Sequence, residues 1–244
     1  MRHVYGEDLA YIHDVGFGGF AAGAAPGILG LLSHFGVSTG LVIDLGCGSG
    51  IWAEVLLRSG YRVFGVDVST AMIRLARKRV PEGKFVRQSL HAVALPACAA
   101  VTAIGESLNY LSAADGEAGL HGLFCRVITA LRPGGVFIFD VAEPSLALAE
   151  HGRQSFVEGT DWAVLVEKQA DASRRLLTRR IVGFRRLGKL YRRSEEFHHL
   201  RLHDRAEIMA LLAQAGFRAR VLHGYGKQRN LPGRVGFLAV KPRR

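Results

Sequence analysis

The chain has little with which to cross-link itself. Its 244 residues include three cysteines, Cys47, Cys98 and Cys125. They form an odd, sparse set without CxxC spacing, which excludes a disulfide framework and a structural zinc site, so no metal is expected. Tryptophan, methionine and proline are also few, at 2, 3 and 7 residues. No stretch reaches the ~18 consecutive apolar residues of a membrane span. Met1-Arg-His-Val-Tyr-Gly-Glu-Asp lacks the apolar centre of a secretory leader. The expected compartment is therefore the cytoplasm, with no membrane partner. Internal repeats and low-complexity segments are missing as well.

What is present is a core-forming composition, 49% hydrophobic and 22% charged, with 30 glycines and a net charge of +11. The charge is unevenly placed. Residues 1–150 carry 11 Lys and Arg against 13 Asp and Glu, whereas residues 151–244 carry 21 against 8. Nine cations and no acid lie between Ala172 and Arg193. Such a run attracts phosphate, or it is a solvated sheet surface whose charges block edge-to-edge pairing. Only Phe184 and Tyr191 are available there to stack on bases, which favours the second reading.

From Leu41 the chain alternates strand and helix. Leu41-Val-Ile-Asp-Leu45 is a continuous apolar run around one acid, the pattern of a strand covered on both faces. Ile51–Arg58 reads as a helix, Tyr61–Val66 as a strand, and Thr70–Arg79 as a helix capped by Ser69. Lys84–Arg87 and Ala99–Ile104 follow as strands, then a helix over Gly116–Leu131, a turn at Leu131-Arg-Pro-Gly-Gly135, and a strand over Val136–Val141. This order predicts an α/β chain with a Rossmann-like, doubly wound, seven-stranded sheet.

After the fifth strand the helices stop. Trp162–Gln169, Leu176–Arg185 and Leu190–Leu202 read as three strands, so an antiparallel β insertion is expected over residues 155–203. Asp204 then caps a helix over Arg205–Ala215 that Gly216 ends, and Phe217–His223 and Val235–Val240 close the sheet. The whole of 1–244 is expected to be one domain, with 1–37 as a lid and helix.

The sharpest motif is Asp44-Leu-Gly46-Cys-Gly48-Ser-Gly50, between the first strand and its helix. Glycines let the backbone turn tightly and approach a ligand where a Cβ would collide. A dinucleotide loop spaces them GxGxxG, but Ile51 stands where its third glycine belongs. The spacing is DxGxGxG. A second acid, Asp67, ends the second strand at the carboxyl edge of the sheet, where α/β ligands bind.

With these residues the chain resembles the class I S-adenosylmethionine-dependent methyltransferases. The resemblance runs over Leu41–Val141 by motif and to the C-terminus by topology. It implies S-adenosyl-L-methionine as cofactor and S-adenosyl-L-homocysteine as product. It further implies that Gly46, Gly48 and Gly50 line the methionine moiety, that Asp44 orients its ammonium group, and that Asp67 binds ribose. Val68 and Met72 would flank adenine. Where the family often has an acid for the adenine amino group, this chain has Gln88-Ser89-Leu90, so Ser89 is the expected acceptor. Tyr11, in Tyr11-Ile-His-Asp14, is expected to cover the cofactor.

The fourth strand ends in Gly105-Glu-Ser-Leu-Asn-Tyr-Leu111, which the resemblance places beside the sulfonium. The segment lacks the Asn/Asp-Pro-Pro-aromatic motif of nucleic-acid amino methylation, and no Pro-Cys pair is placed for C5 chemistry. It resembles the small-molecule branch, which includes sugar N-methyltransferases and glycine-N-methyltransferase-like enzymes. The expected partner is a small-molecule acceptor methylated on oxygen or nitrogen, with RNA held by the basic insertion as the alternative. A base contributes ~10²–10⁴-fold when the acceptor must lose a proton. Glu106, expected also to touch the cofactor, is one candidate; Glu196 and His198 are the others. Strand alternation in Glu195-Glu-Phe-His-His-Leu200 puts Glu196, His198 and Leu200 on one face and Glu195, Phe197 and His199 on the other. The first is the preferred pocket face, and Phe197 leaves the second open.

Overall fold

The computed structural model describes residues 4–110 and 116–243. Two helices, α1 (Glu7–Gly16) and α2 (Gly19–His34), precede the alternating region. There follow β1 (Gly40–Leu45), α3 (Ile51–Arg58), β2 (Tyr61–Asp67), α4 (Thr70–Arg79), β3 (Lys84–Arg87) and β4 (Cys98–Ala103). A short 3₁₀ turn, Ser107–Tyr110, leads towards α5 (Gly116–Ala130) and β5 (Leu131–Ala142). Next come α6 (Ser145–Glu150), β6 (Gln154–Glu158), β7 (Trp162–Asp171), β8 (Leu176–Leu187) and β9 (Leu190–Arg201). The chain closes with α7 (Arg205–Gln214), β10 (Arg218–Leu222), a hairpin of β11 (Gly224–Tyr225) and β12 (Gln228–Arg229), and β13 (Arg234–Val240).

The main sheet has seven strands in the order β3-β2-β1-β4-β5-β13-β10. Its pairs are parallel from β3 to β5, and β13 runs antiparallel to both β5 and β10. Successive side chains of one strand feed opposite cores. Ile43, Val101 and Phe139 pack with Phe124 of α5 and Leu212 of α7. Val42, Ala100 and Ile138 pack with Leu32 of α2, Trp52 of α3 and Ile73 of α4. Strand order reverses at β1, between β2 and β4, which opens a crevice at the carboxyl ends of these strands. Ser69 and Asp204 cap α4 and α7 by accepting from Met72 N and Ala206 N.

Three local expectations change. The proposed turn at Leu131–Gly135 lies inside β5, where the register slips between Cys98↔Leu131 and Ala100↔Val136. Gly134, at φ +77°, and main-chain bonds to Lys241 hold the bulge. The insertion is a separate sheet of four strands, β6-β7-β8-β9, and β6 is the strand missed because Gln154–Glu158 is exposed throughout. The N-terminal region, expected as a lid and one helix, forms two helices, α1 and α2. Among the described residues no single helix is long and apolar enough to cross a membrane.

Candidate active site

The turn after β1 wraps the crevice with left-handed glycines, and their reasons differ. A Cβ on Gly46 (φ +76°) would lie 2.4 Å from Ser107 Cβ, so this glycine admits the loop after β4. Gly50 (φ +81°) starts α3 against Ala76, 3.1 Å from such a Cβ. Gly48 (φ +51°) faces open space, with only Met72 Sδ at 4.0 Å from the same position. Of the three, Gly48 is the one whose missing side chain leaves room for a ligand.

Two carboxylates flank that space. Asp67, at the tip of β2, accepts from Gly48 N at 3.0 Å and Ser69 N at 2.8 Å, which aims it into the crevice. Burial raises its pKa, and these N–H groups oppose the rise. Asp44, on β1, is buried and accepts from Thr102 Oγ1 at 3.0 Å; Trp52 Nε1 in turn donates to Thr102 Oγ1 at 3.1 Å. Burial pushes Asp44 to about 7, with Asp67 adding to the rise. A cation beside Asp44 would offset the cost of its charge. An amino acid's ammonium group, a ribose diol and a backbone approach at Gly48 together suit an adenosyl amino acid.

Of the residues expected around adenine, Met72 is buried beside Ala10 of α1, and Val68 is 43% exposed at the rim. Ser89 Oγ accepts from His91 N at 3.2 Å and so closes a turn next to β3. Tyr11 does not cover the crevice. Its ring lies under Arg185 (3.8 Å to the centroid) and its hydroxyl donates to Asp161 at 2.7 Å, fastening α1 to the insertion. Tyr5, six residues earlier, takes that place. Its carbonyl accepts from Ser69 Oγ at 2.6 Å, while its ring meets His198 and Tyr110 at centroid distances of 4.9 and 6.2 Å. Two surface cavities, of about 420 and 380 Å³, are lined by none of Asp44, Gly48 and Asp67.

The loop after β4 is held from below by Asp140, which sequence reasoning missed. This buried carboxylate accepts from Gly105 N (3.0 Å), Glu106 N (2.6 Å) and the Tyr225 hydroxyl (3.1 Å). Burial brings it to about 6, against the pull of those donors. An acid in the apolar run Phe137-Ile-Phe-Asp140 was the available signal. Glu106 adopts φ +64° there, and its carboxylate pairs with Arg179 of β8 at 2.9 Å and with Arg234 of β13. Burial alone would raise its pKa, but the two guanidinium groups outweigh burial and lower it. The expectation of Glu106 as a base is corrected on this ground: a carboxylate so held is a weak proton acceptor.

Glu196, His198 and Leu200 turn inward, and Phe197, 43% exposed, turns out, as the preferred alternation has it. Glu196 accepts from the main-chain N–H groups of Tyr5 (2.7 Å) and Gly6 (2.8 Å). His198 bridges Glu196 Oε2 (Nε2, 2.9 Å) and the Tyr110 hydroxyl (Nδ1, 3.3 Å). Asn109, also missed, sews the insertion to the sheet: its amide donates to the carbonyls of Ala142 and Arg201 and accepts from Ala142 N. Leu111, the end of the expected acceptor motif, lies outside the described residues.

Residues 42–135 match the family model of a methyltransferase domain. Trans-aconitate 2-methyltransferase of Paracidovorax citrulli is 36% identical over 105 residues, 42% of this chain; the chain thus spans 38% of that relative's length. An S-adenosylmethionine-dependent methyltransferase from Clostridium acetobutylicum superposes with a TM-score of 0.83 at 21% identity, over 96% of this chain and 97% of that one. CalS10, an amino pentose methyltransferase of Micromonospora echinaspora solved with S-adenosylmethionine bound, gives 0.74 at 19% identity, covering 99% of each chain. The structural likenesses establish the fold. In the matched segment and the DxGxGxG crevice the chain is similar to the class I S-adenosylmethionine-dependent methyltransferases, and it has their fold. The cofactor of that class is S-adenosyl-L-methionine.

Proposed function

We propose that the protein transfers a methyl group from S-adenosyl-L-methionine to an oxygen or nitrogen of a small molecule. The observation that carries the reading is the open approach at Gly48 between the Asp44 and Asp67 carboxylates, beneath the inner face of the insertion. Gly48 and Asp44 would hold the methionine moiety, Asp67 the ribose, and Val68, Met72 and Ser89 the adenine. When bound, the cofactor supplies an electrophilic methyl carbon on a sulfonium.

The chain's share of the work is to align donor and acceptor and keep water out, an effect worth ~7–11 kcal/mol when alignment is close. The Tyr5 segment covers the crevice, and Glu196 ties that segment to β9. Glu106 positions the loop after β4 through its two arginines and sets the floor of the acceptor space. Proton removal then falls to His198, with Glu196 behind it.

A small acceptor is supported by the relatives, which carry the names of a trans-aconitate and an amino pentose methyltransferase. The RNA alternative draws less support. Of the nine cations between Ala172 and Arg193, seven pair with carboxylates of this chain: Arg174, Arg175, Arg179, Arg180, Arg185, Arg192 and Arg193. Incubation with methyl-labelled donor and metabolite extract, with and without ribonuclease, tests the reading. Label in a small product in both samples supports it; label confined to RNA, or no transfer, rejects it.

A further inference from the structure

With a neutral imidazole, the hydrogen bonds that cross the acceptor side of the crevice run in one direction. As a carboxylate Glu196 only accepts, and it takes the Tyr5 and Gly6 N–H groups together with His198 Nε2 at 2.9 Å. Nε2 therefore carries the imidazole hydrogen. In a neutral ring Nδ1 is then bare, and it accepts the Tyr110 hydroxyl at 3.3 Å. Tyr110, with its hydrogen committed, can only accept from the Tyr5 hydroxyl 3.3 Å away. Arg179, already bound to Glu106, also reaches the Tyr110 hydroxyl. His198 is fully buried, while Tyr110 is half-buried and meets Tyr5, so the phenol is the end of this chain of groups nearest the Tyr5 segment.

We infer that Tyr110 is a catalytic residue, the terminus of a Glu196–His198–Tyr110 proton relay that serves a hydroxyl or amine acceptor. The inference rests on the methyltransferase reading of the crevice. The Tyr5 hydroxyl, which donates to Tyr110 Oη, marks where the acceptor's O–H or N–H donates once Tyr5 has moved aside. The acceptor's proton passes to Tyr110 Oη as the tyrosine's own proton passes to His198 Nδ1, and Glu196 holds the resulting imidazolium. The freed acceptor pair bonds to the methyl carbon while the carbon–sulfur pair returns to sulfur. Arg179 faces the phenol oxygen, where it stabilises negative charge during the exchange. Glu196 acts through His198 and is a positioning residue. A carboxylate acceptor, already without its proton, has no use for such a relay, and this separates the inferred acceptor class from an acid.

Two measurements test the relay. In the ¹⁵N-histidine-labelled chain without donor, the His198 ring, assigned with His198→Asn, should be the Nε2–H tautomer. Its Nδ1 resonance should shift in Tyr110→Phe. An Nδ1–H tautomer, or an Nδ1 resonance unmoved in Tyr110→Phe, overturns the proposal. With calorimetry for donor binding and S-adenosylhomocysteine release against hydroxyl- and amine-bearing metabolite fractions, Tyr110→Phe should keep its donor affinity and lose about 100-fold in turnover. Donor binding with undiminished turnover in Tyr110→Phe overturns the relay alone. A native chain that binds no donor overturns the cofactor reading, and the relay with it.

Discussion

Thr102 Oγ1 lies 3.0 Å from Asp44 Oδ1, so a hydroxyl of β4 steadies the acid of β1 in the middle of the sheet. That single donor does not offset burial, and Asp44 sits at about 7 instead of in the ordinary carboxylate range. Below that pH the ligand-free chain holds Asp44 protonated, whereas a bound ammonium group selects the ionised form. Donor affinity should therefore rise with pH, by about tenfold from pH 6 to pH 8, with proton release on binding below pH 7. Calorimetry in buffers of different ionisation enthalpy measures both. A pH-independent affinity would separate Asp44 from the ammonium group. Asp67, the charged neighbour, has a pKa also raised by burial, and it works in the same direction.

Asp44 and a second buried acid, Asp140, set a trend in stability. Asp44 and Asp140, at about 7 and about 6, take up protons more readily in the folded than in the unfolded chain. Raised acids stabilise below their unfolded values near 4 and lose that contribution as pH rises through 6 to 7. Asp140→Asn and Asp44→Asn should each flatten part of this slope in urea titrations between pH 5 and 8 without donor. An unchanged slope in both variants would deny the raised values.

The glycines of the first turn should separate by phenotype. Gly46→Ala places a methyl 2.4 Å from Ser107 Cβ and should destabilise the fold. Gly48→Ala meets only Met72 Sδ at 4.0 Å, so its cost is the left-handed backbone, about 1–2 kcal/mol. Its larger loss should be in donor binding. Melting temperature and calorimetry on the pair check this; equal donor affinity in Gly48→Ala and the native chain would place the ligand elsewhere.

Asn109→Ala removes three hydrogen bonds to the ends of β5 and β9, and leaves Ala142 N and two carbonyls without that partner. The expected loss is about 2–4 kcal/mol in chemical denaturation. A change below about 0.5 kcal/mol would mean that water or a neighbour replaces the amide.

Much of the fold was legible because it is local. The apolar run at β1, the glycine spacing, Asp67 at the tip of β2 and the caps Ser69 and Asp204 are each decided within a few residues. Thr102, Asp140 and Asn109 were not legible, since each is a polar residue in an apolar stretch whose partner is distant. Thr102 meets Asp44 across 58 residues, and Asn109 meets Arg201 across 92. Glu106 shows the same limit: its motif marked it as a base, but Arg179 and Arg234, 73 and 128 residues away, remove that capacity. Tyr11 and Tyr5 exchange roles for a related reason. Which aromatic side chain covers the crevice depends on Asp161 and Arg185 of the insertion, which draw Tyr11 away.

Titration of S-adenosyl-L-methionine into the native chain and into Asp67→Ala is the most direct measurement of the whole account. One site in the native chain, weakened at least about tenfold in the variant by loss of charged hydrogen bonds to ribose, is the expected result. No binding to the native chain at millimolar donor, or equal binding to both, would contradict it.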